Sequence, residues 1–264
     1  MATSDAPISI GQVALTVRDL DKTATFYEDV IGLGLISRNG ETALLGTEGL
    51  ALIELRQDRK AKPYPKEPGL FHTAFLLPSK RDLGAWLIYA RERGVGLDGA
   101  SHHGVSEALY LSDPEGNGIE IYRDLPREDW KRSGETVHMT THALDLRSLT
   151  REAGQWQGAP EGTVIGHVHL RVGDVAMAAD FITAEIGMAQ TFQLPSARWF
   201  GSGGYHHHLA VNQWQSQGAG QRSAGVAGLA SVELLASPGT ISPGRLVDPW
   251  GIAFNVTSAQ GPTA

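Results

Sequence analysis

The chain contains no cysteine. That excludes disulfides and thiolate ligands, so a metal would have to be held by His, carboxylate or amide side chains. No apolar run approaches the roughly 18–20 residues that span a bilayer, so no membrane segment is expected. The opening stretch MATSDAPISI has neither a basic region nor an apolar core, which makes a secretory signal unexpected and a cytoplasmic location the default. Positive charge is scarce as well. The 22 Lys and Arg against 29 Asp and Glu leave a net charge of −7 with no basic stripe, which argues against nucleic acid as a partner. What remains is a globular profile, 41% hydrophobic and 19% charged over 264 residues, enough for one large domain or two ordinary ones.

The chain repeats itself. Residues 11–35 (GQVALTVRDLDKTATFYEDVIGLGL) and 166–188 (GHVHLRVGDVAMAADFITAEIGM) both begin as an alternating strand. Each continues into a helix opened by Asp19 or Asp174 and closed at Gly32 or Gly187. Alternation then resumes in ETALLGTEGLALIEL and ARWFGSGGYHHHLAV. A second pair is offset from the first: GLFHTAFLL at 69–77 matches GLASVELL at 228–235, and the Asp-Pro-x-Gly turn at 113–116 returns at 248–251. The expected fold is therefore α+β, with four βαβββ modules at about 8–58, 68–124, 165–215 and 226–258. The fourth is truncated, since too few residues lie between Ala236 and Asp248 for a helix and a full strand pair. Along the sequence this divides into a first domain at 8–124, a charged, Gly-containing linker at 125–164 with room for a short helix, and a second domain at 165–258. A βαβββ half-sheet has one face to cover, so modules must pair into cup-shaped half-barrels.

Strand alternation then assigns faces. Val168, Leu170 and Val172 pack outward, which turns His167, His169 and Arg171 into a cup. Ile119 and Ile121 pack, leaving Glu120 and Tyr122 inside, and Leu109 and Leu111 leave Tyr110 inside. The faces of 71–76 are less distinct, with His72, Ala74 and Leu76 opposite Phe71, Thr73 and Phe75. A lone His or Glu on a strand is more often structural. Two imidazoles and a carboxylate buried together are costly unless paired or metal-bound, and that set is the facial triad suited to non-haem Fe(II).

The stretches GLFHTAFLLPS, VSEALYLSDPEGNGIEIYRD, IGHVHLRV and GGYHHHLAVNQW together resemble the glyoxalase/bleomycin-resistance/extradiol-dioxygenase (vicinal oxygen chelate) superfamily, and in particular its bacterial catechol-2,3-dioxygenase-like members. The resemblance covers the whole chain. It implies metal ligation by His72, Glu120 and His167, the last following the Gly166 of a Gly-His opening. It implies a catalytic His in the run His206-His207-His208-Leu209-Ala210, where the alignment selects His207. It also implies supporting roles for Tyr110, ten residues before Glu120 across Pro114 and Gly116, and for His103, with His102 as the neighbouring choice. Strand parity disagrees by one residue: Leu209 and Val211 share a face with His207, which would put His206 and His208 in the cup. The module order also departs from the family, in which the Gly-His module comes before the Tyr/Glu module. Here a joint site requires modules two and three to pair, leaving one and four together. Module four has Ala230, Arg245 and Asn255 where His72, Tyr110 and Glu120 would fall, so it cannot host the metal.

The activity implied is extradiol cleavage of a catechol-type diol by O2, with Fe(II), or less readily Mn(II), as cofactor. Trp199 and Phe200 are candidates for the pocket wall. A glyoxalase I-like isomerase is the rival: pairing modules one and two would offer Gln12, Glu54, His72 and Glu120 to Zn or Ni, and would leave His167 and the His run without a role. A non-catalytic binding protein, as bleomycin-resistance proteins are, would have a metal-free apolar cup. A homodimer is compatible with the family, though no residue demands one.

Overall fold

The computed structural model describes residues 6–63 and 67–259. Module one supplies β1 (Ile8–Val17), α1 (Leu20–Phe26), β2 (Gly34–Asn39), β3 (Thr42–Thr47) and β4 (Leu50–Gln57). Module two supplies β5 (Gly69–Leu76), α2 (Lys80–Glu92), β6 (Gly99–His102), β7 (Ser106–Ser112) and β8 (Gly118–Asp124). Between the halves lie the short strands β9 (Arg132–Ser133), β10 (Thr136–Val137) and β11 (His142–Ala143), then α3 (Leu146–Thr150). Module three supplies β12 (Val164–Arg171), α4 (Val175–Phe181), β13 (Ala189–Leu194), β14 (Ala197–Gly201) and β15 (Leu209–Asn212). Module four has β16 (Gly228–Ala236), β17 (Gly244–Val247) and β18 (Ala253–Ser258), with no helix among its described residues.

The repeat signals act as local physics requires. The Asp19 carboxylate accepts the Lys22 backbone N–H, and Asp174 accepts those of Ala176 and Met177, so each opens its helix by satisfying orphan donors. Both helices end through one wide turn, Tyr27–Ile31 and Ile182–Ile186, on a left-handed glycine, Gly32 at φ 81° and Gly187 at φ 83°. In the two Asp-Pro-x-Gly turns, Asp113 Oδ1 accepts N–H groups of Glu115 and Asn117, and Asp248 Oδ1 accepts those of Trp250 and Ile252.

The strands form two large sheets. One runs β17-β18-β16-β1-β4-β3-β2, the other β11-β6-β7-β8-β5-β12-β15-β14-β13. Modules one and four thus share the seven-stranded sheet, joined antiparallel through β1 and β16, and modules two and three share the nine-stranded sheet, joined through β5 and β12. The division at 125–164 is one of sequence. Each sheet takes one module from either side of it, so the two halves of the chain interlock. The 125–164 segment is more than a connection: it carries α3, and β11 extends the nine-stranded sheet beyond β6.

Helices cover the outer faces. The core includes Leu15, Tyr27, Phe75, Trp86, Phe200 and Phe254, all buried, and burial of such side chains is the main term that holds the sheets and helices together. Trp86 on α2 donates from Nε1 to the Val30 carbonyl at 2.8 Å, tying module two to module one. Among the described residues no helix is long and apolar enough to cross a membrane.

Candidate metal centre and active site

The inner face of the nine-stranded sheet gathers His72 from β5, Glu120 from β8 and His167 from β12, all buried. Their ligand atoms lie within 4.8 Å of one another. The Nε2 atoms of both imidazoles stand 3.1 Å from the same oxygen, Glu120 Oε2. For His167 this is a hydrogen-bonding geometry. His72 Nε2 is buried with no hydrogen-bond partner among the described residues. Burial by itself would raise the Glu120 pKa; attraction to His167 and His72 outweighs it and holds the carboxylate well below its usual range. Burial pushes the His167 pKa down, against the pull of Glu120. A buried carboxylate and two imidazoles whose Nε2 atoms approach one of its oxygens form a set that calls for a cation. The donor set fits a divalent metal, with one side open to a cavity.

That cavity has a volume of about 540 Å³, in the range for small-molecule sites. Tyr110, His103 and His207 line it beside the three ligands. Two hydrogen bonds fix the His103 tautomer. Nδ1 donates to the Thr140 carbonyl at 2.8 Å, so in the neutral ring Nε2 accepts a hydrogen bond from the Tyr110 hydroxyl at 2.7 Å. Burial and the nearby Glu120 charge raise the Tyr110 pKa well above that of a free phenol, so it stays a donor. His102 points elsewhere: its Nδ1 accepts the Gly104 N–H, and it does not line the cavity.

The His run resolves into three different environments. Strand β15 begins only at Leu209, so residues 206–208 approach it irregularly and alternation does not govern them. His207 faces the cavity, its ring centroid 4.1 Å from that of His167. His208 accepts the Ser202 N–H and is buried. His206 donates from Nε2 to Asp124 Oδ1 at 2.9 Å, and its Nδ1 lies 2.8 Å from His207 Nδ1. With His206 neutral, its Nδ1 accepts from His207, which leaves the His207 Nε2 lone pair free. Burial, then the neighbouring imidazoles, holds His207 well below the ordinary His range, so the ring is neutral. Sequence patterning gave no signal for Asp124.

Tyr122, expected to face the cup, packs its ring 4.9 Å from His167 and shares a 2.8 Å hydrogen bond with the Tyr205 hydroxyl. Trp199 lines the cavity, whereas Phe200 is in the core. Phe71, placed by alternation on the face opposite His72, lines the cavity beside it. The β12–β5 register shifts between His169 and Leu170, level with these residues, and such a bulge turns adjacent side chains toward one side. Gln12 and Glu54 lie on the seven-stranded sheet, where Gln12 Nε2 donates to Glu54 Oε2 at 3.4 Å and Glu54 is paired with Arg56. They are thus on a different sheet from His72 and Glu120.

A model described as the Glyoxalase/Bleomycin resistance protein/Dioxygenase superfamily matches residues 9–121. A catechol-2,3-dioxygenase of Bacillus subtilis (strain 168) is 39% identical over 228 residues, spanning 83% of this chain and 80% of that protein. Biphenyl-2,3-diol 1,2-dioxygenase 3 of Rhodococcus globerulus is 29% identical over 44% of this chain and 63% of its own length. Among solved structures, glyoxalase I of Zea mays superposes with a TM-score of 0.55 at 17% identity, covering 95% of this chain and 92% of that one. That likeness is one of fold.

Proposed function

Because the chain belongs to the glyoxalase/bleomycin resistance protein/dioxygenase superfamily, we propose that it is a metal-dependent extradiol dioxygenase that opens the ring of a catechol-type diol with O2. The observation that carries this reading is the convergence of His72, Glu120 and His167 on one point at the wall of a cavity. Two imidazoles and one carboxylate suit Fe(II) first and Mn(II) second; Zn or Ni would also accept these donors. Bound there, the metal would supply Lewis acidity toward the diol oxygens and the redox chemistry toward O2.

The chain's own residues orient the diol and handle its protons. His72, Glu120 and His167 would hold the metal at the cavity wall, where a diol in the cavity can reach it. The Tyr110 hydroxyl, held by His103, sits beside the Glu120 end of the site and fixes the orientation of a diol oxygen by hydrogen bonding. His207, neutral and with Nε2 unprotonated in the tautomer set by His206, accepts a proton from the substrate and returns it later, the role a neutral imidazole suits. Buried apolar walls keep water from competing.

The test is anaerobic loading with Fe(II), then a panel of catechols and O2, with the yellow ring-cleavage product followed by absorbance. Product formation that is abolished in His72→Ala and Glu120→Ala is the expected result. Bound iron with no turnover across the panel overturns the proposal.

A further inference from the structure

We infer that residues 138–143 form a strap that opens and closes over the metal-site cavity, and that His103 latches it, so that closing the strap and orienting the Tyr110 hydroxyl are one event. Thr140 is thereby a positioning residue for Tyr110. The inference rests on the dioxygenase reading and deepens it.

The strap crosses the cavity between the two edges of the nine-stranded sheet. It leaves β10, which lies against the edge strand β13, and arrives at β11, which pairs with β6 at the other edge. Between them Met139, Thr140 and Thr141 line the cavity. Little apolar burial holds this segment down. Val137 and Leu144 are buried and anchor its ends, whereas Met139 is half-buried and the rest of 138–143 is exposed. A segment tied mainly by solvent-exposed hydrogen bonds opens at a lower free-energy cost than the core around it.

The bonds at its centre go to His103. The Thr140 N–H donates to the His103 carbonyl at 2.9 Å, and the Thr140 carbonyl accepts from His103 Nδ1 at 2.8 Å. Thr141 Oγ1 lies 3.5 Å from the same nitrogen. His103 is itself fixed, its N–H donating to the Ser106 carbonyl at 2.8 Å. Gly104, at φ 77°, lets the turn pass close to the strap: a methyl group there would stand 3.2 Å from Thr140 Oγ1.

A neutral imidazole has one donor nitrogen and one acceptor. Under a closed strap Nδ1 is the donor, and the single proton of Tyr110 is committed to Nε2 at 2.7 Å. The Tyr110 oxygen then offers only lone pairs, ready to accept from a diol O–H. Lifting the strap removes the acceptor from Nδ1 and leaves the tautomer unfixed. A proton on Nε2 would donate to Tyr110 and turn the hydroxyl proton away, reversing the polarity that the diol meets.

The test uses a lock. His102 and His142 face each other directly across β6 and β11, and neither lines the cavity. Directly opposed residues of an antiparallel pair have the separation a disulfide spans, and the chain has no cysteine of its own. His102→Cys/His142→Cys is prepared oxidised, with the strap locked, and reduced, with the strap free. In metal-free, isotope-labelled protein the ring-nitrogen NMR shifts of His103 report its tautomer without any ligand. The locked form should show one tautomer, protonated on Nδ1. Thr140→Gly/Thr141→Gly, which disfavours the ordered strap about two- to fivefold per substitution, should move the shifts toward the average of the two tautomers. Unchanged shifts in the loosened strap overturn the inference. Fe(II)-loaded protein is then mixed anaerobically with 4-nitrocatechol and binding is followed by absorbance. The oxidised form should bind and release it at least about tenfold more slowly than the reduced form, given the stabilisation a disulfide supplies. Equal rates overturn the strap and leave the dioxygenase reading standing. If no form binds 4-nitrocatechol, the dioxygenase reading fails, and the strap stands or falls on the His103 shifts.

Discussion

Replacing Gly166 by alanine should damage this protein more than a surface glycine would, for a reason that also explains why glycine precedes the metal-facing His167. Gly166 is the unpaired residue where the β12–β5 register shifts, Ile165 facing Phe75 and His167 facing Ala74. A methyl group on it would overlap the Tyr122 hydroxyl, come within 2.8 Å of Tyr122 Cζ, and approach Leu76 Cβ to 3.1 Å. Tyr122 is fully buried and cannot swing into solvent. It would have to shift, straining the 2.8 Å bond to Tyr205, whose hydroxyl in turn reaches Asp124 at 3.2 Å. Overpacking costs about 1–3 kcal/mol, and a buried donor or acceptor left unpaired costs about 1–3 kcal/mol more. The sum, roughly 2–6 kcal/mol, is a large share of the ~5–15 kcal/mol that holds a domain folded. Urea unfolding of the metal-free protein, followed by circular dichroism, should show the midpoint fall with the slope unchanged. Removing the Tyr122 hydroxyl as well, in Gly166→Ala/Tyr122→Phe, should cost less than the sum of the two single changes, because the clash and the lost hydrogen bond share one oxygen. A Gly166→Ala protein within about 0.5 kcal/mol of the parent, the range of ordinary surface substitutions, refutes this account of the Gly-His pair.

Three further outcomes follow from the site. Fe(II) at a hundredfold excess over its Kd should stabilise the folded protein by about 2.7 kcal/mol, read as a higher thermal midpoint, and Glu120→Ala should abolish the increment; an equal increment in the variant would place the metal elsewhere. Burial pushes the His208 pKa down to about 3, so the unfolded chain takes up that proton near pH 6.5 while the folded chain does not. Stability is then lost as pH falls below 6.5, by about 1.4 kcal/mol per pH unit for one such ring, and His208→Phe should flatten the pH dependence of the unfolding free energy between pH 6 and 4 by about that slope. An unchanged slope contradicts the burial. His206→Phe removes the acceptor that orients His207; turnover should fall roughly ten- to hundredfold, the range for outer partners of a metal site, with iron content unchanged. Full activity in the variant would show that His207 needs no such partner.

Much of this molecule is legible along the chain because its signals are local. The capping Asp19 and Asp174 and the left-handed Gly32 and Gly187 mark the same helix in two modules. Alternation places Glu120 and His167 on one face because β8 is regular across Glu120 and β12 is regular from His167 to His169, its first register shift falling just before, at Gly166. Module pairing was open between two choices, and the sheets join two with three and one with four. Alternation fails where strands are irregular. Phe71 reaches the cavity beside a register shift, and His206–His208 lie ahead of β15, after the left-handed Gly203 and Gly204. Trp199 is legible as a pocket-wall candidate and lines the cavity, but Asp124 and Phe71 are not, since each matters only through neighbours from another module: Asp124 through His206, 82 positions away, and Phe71 through Trp214.

The most direct test of the central claim is anomalous diffraction at the iron edge from crystals loaded with Fe(II) without oxygen. One peak is predicted, within bonding distance of His72, His167 and Glu120 and facing His207 and Tyr110 across the cavity. A peak at Gln12 and Glu54, or no peak at the triad in protein that retains iron, would contradict it.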